Sequence, residues 1–129
     1  MKTLVVDDSG VMRRFIVKTL KAYRTDMEIE EAKVGEKALF LTKVKPFDLI
    51  LMDWNMPYMS GLETVEKIRK NGVESTIFMV TTNAEKKQIV EAVKAGANDY
   101  VIKPFTPEVL IEKIEKHFPV PEKDTPNEG

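Results

Sequence analysis

Six polar side chains stand directly after four short apolar runs of the sequence, and their types suit chemistry on a phosphoryl group. Parallel strands bring such positions to one edge of a sheet, the edge where open α/β sheets bind ligands. Three carboxylates held together repel one another, so they take up protons or bind a cation. Oxygen ligands completed by water suit Mg²⁺ in particular. In chain order the six residues are Asp7, Asp8, Asp53, Thr81, Thr82 and Lys103.

A cation, an ammonium group and a hydroxyl group around a carboxylate form a site for a phosphoryl group. Mg²⁺ and Lys103 would neutralise the oxygens whose negative charge must be held while phosphorus is attacked. Asp53 follows the central apolar run, so we expect it to be the nucleophile and to form an aspartyl-phosphate. Taken singly, each of these residues is more simply a helix cap or a turn residue. Their coincidence at four predicted strand ends favours the functional interpretation.

Five stretches of the sequence predict the strands that position these side chains. Continuous apolar runs are typical of strands that are covered on both faces of a parallel sheet. One stretch, residues 27–32, mixes apolar and acidic residues, and this mixture predicts an edge strand. The other four stretches are residues 4–6, 48–52, 77–80 and 100–102.

Segments of helical periodicity separate these strands. Apolar residues recur there at intervals of three and four, as on the buried face of a helix. Thr106 followed by Pro107 marks a helix start, and Gly96 marks a helix end. The alternation predicts an α/β fold, with a doubly wound five-stranded parallel sheet covered by five helices. The expected helical faces contain Met12, Phe15, Ile16, Leu20 and Tyr23; residues 36–44; Leu62, Val65 and Ile68; Ile89, Val90 and Val93; and Leu110, Ile111, Ile114 and Phe118.

Composition argues against several classes of function. The chain has 129 residues, enough for one domain, and its 20 basic and 21 acidic residues leave a net charge of −1. That balance argues against a nucleic-acid-binding face. The chain has no cysteine and a single histidine, which argues against thiolate metal sites and most hydrolases built on a Cys-His or Ser-His pair. We expect that histidine, His117, to be solvated in the last turn of the last helix.

The ends of the chain carry no targeting or membrane-spanning pattern. No apolar run approaches the roughly 20 residues that cross a bilayer as a helix, so we expect a cytoplasmic protein. Residues 119–129 are rich in proline and charge and almost without apolar residues. This composition predicts a disordered tail, and the folded domain is therefore expected to span residues 1–118.

Four blocks of the sequence resemble the signature blocks of the response-regulator receiver domains of two-component systems. The blocks are residues 5–9 (VVDDS), 52–61 (MDWNMPYMSG), 80–84 (VTTNA) and 101–106 (VIKPFT). The resemblance runs in order from residue 2 to about residue 118, and it is closest to the stand-alone chemotaxis regulators of the CheY group. It implies a flavodoxin-like sheet of strand order 2-1-3-4-5 and a cis peptide bond between Lys103 and Pro104.

The resemblance also implies a role for each residue of the site. Asp53 would accept a phosphoryl group from a phosphohistidine on a sensor histidine kinase. The carboxylates of Asp8 and Asp53 and the backbone carbonyl of Asn55 would hold Mg²⁺, and Asp7 would reach the ion through water. Lys103 would contact the oxygens of the phosphoryl group. The protein would catalyse only its own phosphorylation and a slow loss of the phosphoryl group.

A switched surface and its partners are implied in the same way. Thr81 would form a hydrogen bond with the phosphoryl group and move toward it, and Tyr100 would turn inward as Thr81 moves. The implied partners are a CheA-like sensor kinase, a flagellar motor switch protein and a phosphatase, with neither nucleic acid nor membrane among them, and the protein would act as a monomer. The implied partner surface contains Lys86, Ile89, Tyr100 and Lys113.

Three other functions share parts of this pattern. A phosphorelay intermediate, which passes its phosphoryl group to a histidine phosphotransfer domain, has the same site residues. A Mg²⁺-dependent phosphohydrolase needs a second aspartate two positions after the nucleophile, where this chain has Asn55. A flavin carrier needs a phosphate loop of Ser, Thr and Gly, where this chain has an Asp-Asp-Ser sequence at residues 7–9. Asn83 stands where similar regulators often have an acidic residue, which leaves the lifetime of the phosphorylated form open.

Overall fold

A computed structural model describes residues 1–119 of the chain. Five strands and five helices alternate along these residues, as the sequence predicts. The strands are β1 (Lys2–Val6), β2 (Glu28–Ala32), β3 (Leu49–Asp53), β4 (Thr76–Thr81) and β5 (Asp99–Ile102). The helices are α1 (Gly10–Tyr23), α2 (Gly35–Val44), α3 (Gly61–Lys70), α4 (Lys86–Ala95) and α5 (Pro107–His117). The disordered tail expected at residues 119–129 lies outside the described residues except for Pro119.

All five strands are parallel and lie in the order β2-β1-β3-β4-β5. The order 2-1-3-4-5 implied by the resemblance is therefore confirmed. β3 lies at the centre, where Val6 of β1 pairs with Met52 and Val80 of β4 pairs with Asp53. This register brings the carboxyl ends of the three central strands to one level, so the residues that follow them emerge side by side. The acidic strand β2 lies at one edge, as its mixed composition predicts.

The core has two parts, one on each face of the sheet. Successive strand residues point to opposite faces, so Leu4 and Val6 pack in one cluster and Val5 in the other. The first cluster holds side chains from α2, α3 and α4, and the second holds side chains from α1 and α5. Burial of each large apolar side chain contributes about 1.5–3 kcal/mol. The two clusters include residues at the carboxyl ends of the strands, Val6 in the first and Val80 in the second, so packing on both faces holds the strand ends that carry the predicted site residues.

Capping side chains set where three helices begin. The side chain of Ser9 accepts a hydrogen bond from the backbone N–H of Met12 (3.2 Å), and Thr106 accepts one from Val109 (3.3 Å). Ser60 likewise accepts from the backbone N–H of Glu63 (3.1 Å) at the start of α3. Each cap contributes about 1 kcal/mol. Ser9, rather than either aspartate before it, is the cap of α1.

Helix α4 differs from the sequence-based prediction in the face that it buries. The predicted face contained Ile89, Val90 and Val93, but Val90 and Val93 are 43% and 61% exposed and Ile89 is half-buried. Ala92 and Ala95 are the buried residues of this helix. Two small side chains, one turn apart, fill the buried stripe, so the valines remain on the outer surface.

Among the described residues no helix is both long and apolar enough to cross a bilayer.

Candidate active site

At the carboxyl edge of the sheet, backbone hydrogen bonds between neighbouring strands continue past the strand ends and position the predicted site residues. The backbone N–H of Asp7 donates to the carbonyl of Ala32 (3.1 Å), and that of Lys103 donates to the carbonyl of Thr81 (2.7 Å). Asp53 is the last residue of β3. These backbone bonds fix the positions from which the three side chains project. The peptide bond between Lys103 and Pro104 is cis.

The ammonium group of Lys103 joins two buried carboxylates. Its Nζ atom lies 3.0 Å from Oδ1 of Asp53 and 3.1 Å from Oδ2 of Asp7. The side chains are 17% exposed for Lys103, 6% for Asp53 and 2% for Asp7. Charged hydrogen bonds in such a shielded place are stronger than neutral ones. The structure thus brings Lys103, Asp53 and Asp7 together at the edge of the sheet where the sequence predicts that they converge, and it adds the direct contacts.

Negative charge exceeds positive charge at this edge. Asp7, Asp8 and Asp53 each present a carboxylate oxygen, and these oxygens lie within 4.8 Å of one another. Burial raises the pKa of Asp53 to about 6; the charges of Asp7 and Asp8 add to the increase and Lys103 opposes it. One ammonium group therefore does not neutralise the cluster. The remaining charge and the all-oxygen donor set fit a hard divalent cation such as Mg²⁺.

The two neighbouring aspartates are not equivalent. Asp7 is buried, and both of its oxygens already accept hydrogen bonds, from the backbone N–H of Ser9 (2.8 Å) and from Lys103. Asp8 is exposed. A cation at this edge would find Asp8 accessible for direct contact and Asp7 already engaged within the protein. Burial lowers the pKa of Lys103, but its contacts with Asp53 and Asp7 outweigh this effect and raise it, so its ammonium form is stable.

Thr81 lies at the same edge, but its hydroxyl faces its own loop. Thr81 is buried at the end of β4, and its Oγ1 atom accepts a hydrogen bond from the backbone N–H of Asn83 (3.0 Å). The side chain of Asn83 in turn accepts one from the backbone N–H of Glu85 (2.8 Å). The hydroxyl of Thr81 forms no hydrogen bond with the side chain of Asp53 or Lys103, although its backbone carbonyl accepts one from the backbone N–H of Lys103. Thr82 is exposed and takes no part in the cluster.

Two features of the loop after β3 were not predicted from the sequence. A Cβ atom on Gly61 would lie 2.1 Å from the backbone oxygen of Asp53, so only glycine lets α3 begin this close to the strand end. Tyr58 is 95% exposed and has a φ angle of 70°, and the backbone N–H of Met59 donates to the carbonyl of Pro57 (2.8 Å) around it. This is a strained γ-turn close to the site in sequence.

The four residues of the predicted partner surface fall on α4, β5 and α5. Lys86 is exposed at the start of α4, and Ile89 is half-buried one turn later. On β5, Tyr100 is half-buried, and Nζ of Lys113 lies 4.6 Å from the centroid of its ring. Nζ of Lys113 also lies 2.9 Å from Oδ1 of Asp99. The charge of Lys113 is thus paired within the protein.

The expectation that His117 is solvated was wrong. Its Nε2 atom lies 2.9 Å from Oδ2 of Asp99, and its ring packs 5.1 Å from the ring of the buried Phe78. The side chain is 24% exposed. α5 packs against β5 so that the last turn of the helix faces the start of the strand. The spacing of Lys113 and His117, four residues apart on one helical face, was the only indication in the sequence.

Comparisons with known proteins match this geometry. The family described as the response regulator receiver domain matches residues 3–115. A protein of Campylobacter jejuni described as a chemotaxis protein CheY homolog is 48% identical over 118 residues, which cover 89% of this chain and 90% of that protein. Chemotaxis protein CheY1 of Helicobacter pylori is 44% identical over 118 residues, which cover 89% of this chain and 94% of that protein.

Solved structures agree with the sequence relatives. The chemotaxis response regulator CheY4 of Vibrio cholerae superposes with a TM-score of 0.83 at 34% identity, covering 89% of this chain and 96% of that one. The receiver domain of the Francisella response regulator 1452 gives a TM-score of 0.80 at 30% identity, covering 89% of this chain and 93% of that one. With its five parallel strands, its acidic edge and these relatives, the chain belongs to the family of response-regulator receiver domains.

Proposed function

We propose that this protein is a chemotaxis response regulator of the cytoplasm that accepts a phosphoryl group on Asp53 from a sensor histidine kinase and thereby changes its binding to a flagellar motor switch protein. The observation that carries the proposal is the buried contact of 3.0 Å between Asp53 and Lys103 within a cluster of three carboxylates. The receiver-domain relatives named for chemotaxis support the pathway.

Phosphoryl transfer to Asp53 needs an ionised carboxylate and a group that holds the phosphoryl oxygens. Lys103 contacts Oδ1 of Asp53, which leaves the second oxygen to attack phosphorus. A P–O bond to Asp53 forms while the P–N bond to the histidine of the donor breaks, and the electron pair of that bond returns to the histidine nitrogen. The ammonium group of Lys103 is close enough to turn from the carboxylate to an oxygen of the arriving phosphoryl group.

The carboxylates of Asp8 and Asp53 and the backbone carbonyl of Asn55 would hold Mg²⁺, with Asp7 in contact through water. The exposed position of Asp8 and the occupied oxygens of Asp7 favour this division. When bound, the ion supplies positive charge that keeps Asp53 ionised and neutralises the transferred oxygens. Without that charge, burial and the neighbouring carboxylates disfavour the ionised form of Asp53, and its pKa is raised.

The hydroxyl of Thr81 is the first contact that can report phosphorylation. Its oxygen accepts a hydrogen bond from the backbone N–H of Asn83, and its hydrogen makes only a long contact of 3.5 Å with the carbonyl of Asn83. That hydrogen can therefore turn and be donated to a phosphoryl oxygen. A phosphoryl group shifts the conformation only through contacts that differ between two states. Movement of Thr81 toward Asp53 would provide such a difference, and rearrangement of Tyr100 would carry it to the surface of α4, β5 and α5.

The tryptophan next to the proposed phosphoacceptor gives a direct test. Trp54 is the only tryptophan of the chain, and its fluorescence can be followed while Mg²⁺ and then beryllofluoride, a mimic of the phosphoryl group, are added. We expect two saturable changes, with the second dependent on the first. Asp53→Asn keeps the size of the side chain and should abolish the beryllofluoride response. Asp26→Asn should not, because Asp26 lies just before β2, at the amino-terminal end of the strands. A response that survives Asp53→Asn would exclude Asp53 as the acceptor.

Binding to the proposed partner can be tested separately from phosphorylation by a kinase. Acetyl phosphate, a small phosphodonor, should phosphorylate the protein without a kinase, and the product should bind a motor-switch peptide more tightly than the unmodified protein does. Rapid transfer from the product to a histidine phosphotransfer domain, with no gain in peptide binding, would favour the phosphorelay alternative. Asn55 cannot supply the proton transfer that a phosphohydrolase needs, so we expect no fast multiple turnover of phosphate esters.

A further inference from the structure

A buried carboxylate lies behind the surface of α5 and β5, outside the acidic cluster. Asp99 is the first residue of β5, and its side chain is 7% exposed. Oδ1 accepts hydrogen bonds from the backbone N–H of Tyr100 (2.8 Å) and from Nζ of Lys113 (2.9 Å). Oδ2 lies 2.9 Å from Nε2 of His117. Both oxygens are thus engaged by groups that position the carboxylate.

The charge of Asp99 determines which way these hydrogen bonds run. Burial favours the neutral acid, but the hydrogen bonds from Lys113 and His117 outweigh burial and lower the pKa of Asp99. An ionised carboxylate only accepts hydrogen bonds, so Nε2 of His117 carries the hydrogen and donates it. The ring of His117 is also held from behind by Phe78, at 5.1 Å. α5 therefore contributes two donors, one turn apart, to a single carboxylate.

Lys113 connects this carboxylate to the ring of Tyr100. Its Nζ atom, 2.9 Å from Oδ1 of Asp99, is also 4.6 Å from the centroid of the Tyr100 ring. A cation at this distance from a ring is attracted to the negative potential of the ring face. Because Asp99 and Tyr100 are consecutive, the ammonium group is held between a carboxylate and a ring that leave the strand at adjacent positions. The position of the ring is thereby tied to that of the carboxylate.

We propose that Asp99 is a positioning residue of the switch: it holds Lys113 against Tyr100 and so stabilises the unphosphorylated placement of the Tyr100 ring. The inference rests on the proposed function, in which Tyr100 changes its position when Asp53 is modified. A contact that is made in one of two states favours that state.

The affinity for beryllofluoride, read from Trp54 in the presence of Mg²⁺, tests the proposal. Asp99→Asn keeps an oxygen for the backbone of Tyr100 but removes the charge that attracts Lys113. We expect its affinity to be about two- to fivefold higher than that of the unaltered protein, the range that corresponds to a cation–π contact at a partly exposed site. Lys113→Met should give a similar increase. Lys116→Met, which removes an exposed lysine from the same helix, should leave the affinity unchanged.

The double variant Asp99→Asn, Lys113→Met shows whether Asp99 acts through Lys113. If it does, the double variant has the affinity of either single variant, because both changes break one contact. The NMR signals of the Tyr100 ring should shift in both single variants before beryllofluoride is added. A lower melting temperature with unchanged beryllofluoride affinity and an unshifted Tyr100 ring would mean that the ion pair serves stability alone, and it would overturn the proposal.

The controls separate this proposal from the proposed function. If the unaltered protein does not respond to beryllofluoride, the proposed function fails before Asp99 is considered. If the unaltered protein responds and both single variants respond with the same affinity, the proposed function stands and the role of Asp99 is overturned. Weaker binding by either variant would also contradict the proposal, because the contact would then favour the phosphorylated state.

Discussion

Lys103 and Asp53, which are 50 residues apart in the chain, form a hydrogen bond of 3.0 Å at the carboxyl edge of the sheet. The same ammonium group contacts Asp7 at 3.1 Å. Two opposite effects follow from this placement. Lys103 neutralises part of the charge that would attract a cation, and it is also the group best placed to hold a phosphoryl oxygen.

Replacement of Lys103 should therefore separate the two binding events. In Lys103→Met we expect tighter binding of Mg²⁺, because the cation no longer competes with an ammonium group for the carboxylates. Binding of beryllofluoride should fall about tenfold or more, because a hydrogen bond to a charged group contributes about 1.5–3 kcal/mol. Titrations followed by Trp54 measure both affinities. Lys21→Met, on the exposed surface of α1, serves as the control, and a parallel loss of both affinities would contradict the prediction.

The pKa of Asp53 predicts how stability depends on pH. The pKa is about 6 in the folded protein against an ordinary value of 3.8, so the folded state holds its proton more tightly than the unfolded state. The contribution of this group to stability is fully present below pH 3.8 and is lost as pH rises through about 6. Asp53→Asn has no such loss. Without Mg²⁺, its melting temperature should exceed that of the unaltered protein by a margin that grows between these two pH values and then levels off. A margin that is constant across that range would contradict the shift.

The γ-turn at Tyr58 stores strain that glycine would release. A non-glycine residue in a strained backbone conformation lowers stability by about 1–3 kcal/mol. Glycine removes this strain, but it also increases the conformational entropy of the unfolded chain, and this second effect cancels part of the gain in stability. The side chain of Tyr58 is 95% exposed, so little packing is lost on its removal. We expect Tyr58→Gly to raise the free energy of unfolding by about 1 kcal/mol in urea denaturation. Tyr58→Ala keeps the strain and should have little effect. Equal results for the two variants would show that the turn is not strained.

Gly61 should tolerate no side chain. The Cβ atom of Gly61→Ala would lie 2.1 Å from the backbone oxygen of Asp53 and 2.9 Å from Cα of Trp54. The backbone cannot yield as a flexible side chain would, so we expect a loss of about 3 kcal/mol in the free energy of unfolding and a weaker response to Mg²⁺. Gly10→Ala is the matched control, because its nearest contact, at 3.5 Å, is the end of the flexible Arg14 side chain. Unchanged stability of Gly61→Ala would show that the loop can move away from the strand.

Most of the fold and the central part of the site could be predicted from the sequence. Short apolar runs followed by polar residues predicted the parallel sheet, and the ladder beyond each strand brings Asp7, Asp53 and Lys103 together as expected. The error at α4 has a simple cause. Alanine and valine both satisfy an apolar pattern, and the periodicity does not say which of two neighbouring stripes faces the core. The pattern also could not show that the Thr81 hydroxyl faces Asn83.

The contact of His117 could not be predicted from the sequence for a different reason. Its partner Asp99 is 18 residues away in the sequence, and the contact depends on the angle at which α5 packs against β5. Local composition contains no information on that angle. A histidine in the last turn of a helix is therefore assigned to solvent until the neighbouring strand is seen. The γ-turn at Tyr58 could not be predicted for a related reason, since tyrosine is not a residue that favours a positive φ angle.

The two alanines that anchor α4 have a consequence for motion. α3 buries Val65 and Ile68 as well as Gly61 and Thr64, whereas α4 buries only Ala92 and Ala95. A buried methyl group supplies much less stabilisation than a buried branched side chain, so α4 opens locally at a lower free energy than α3. Its backbone amides should exchange with deuterium earlier than those of α3. Of these two helices, α4 lies against β5, the strand that carries Tyr100, and it is the one whose attachment to the sheet is easier to loosen.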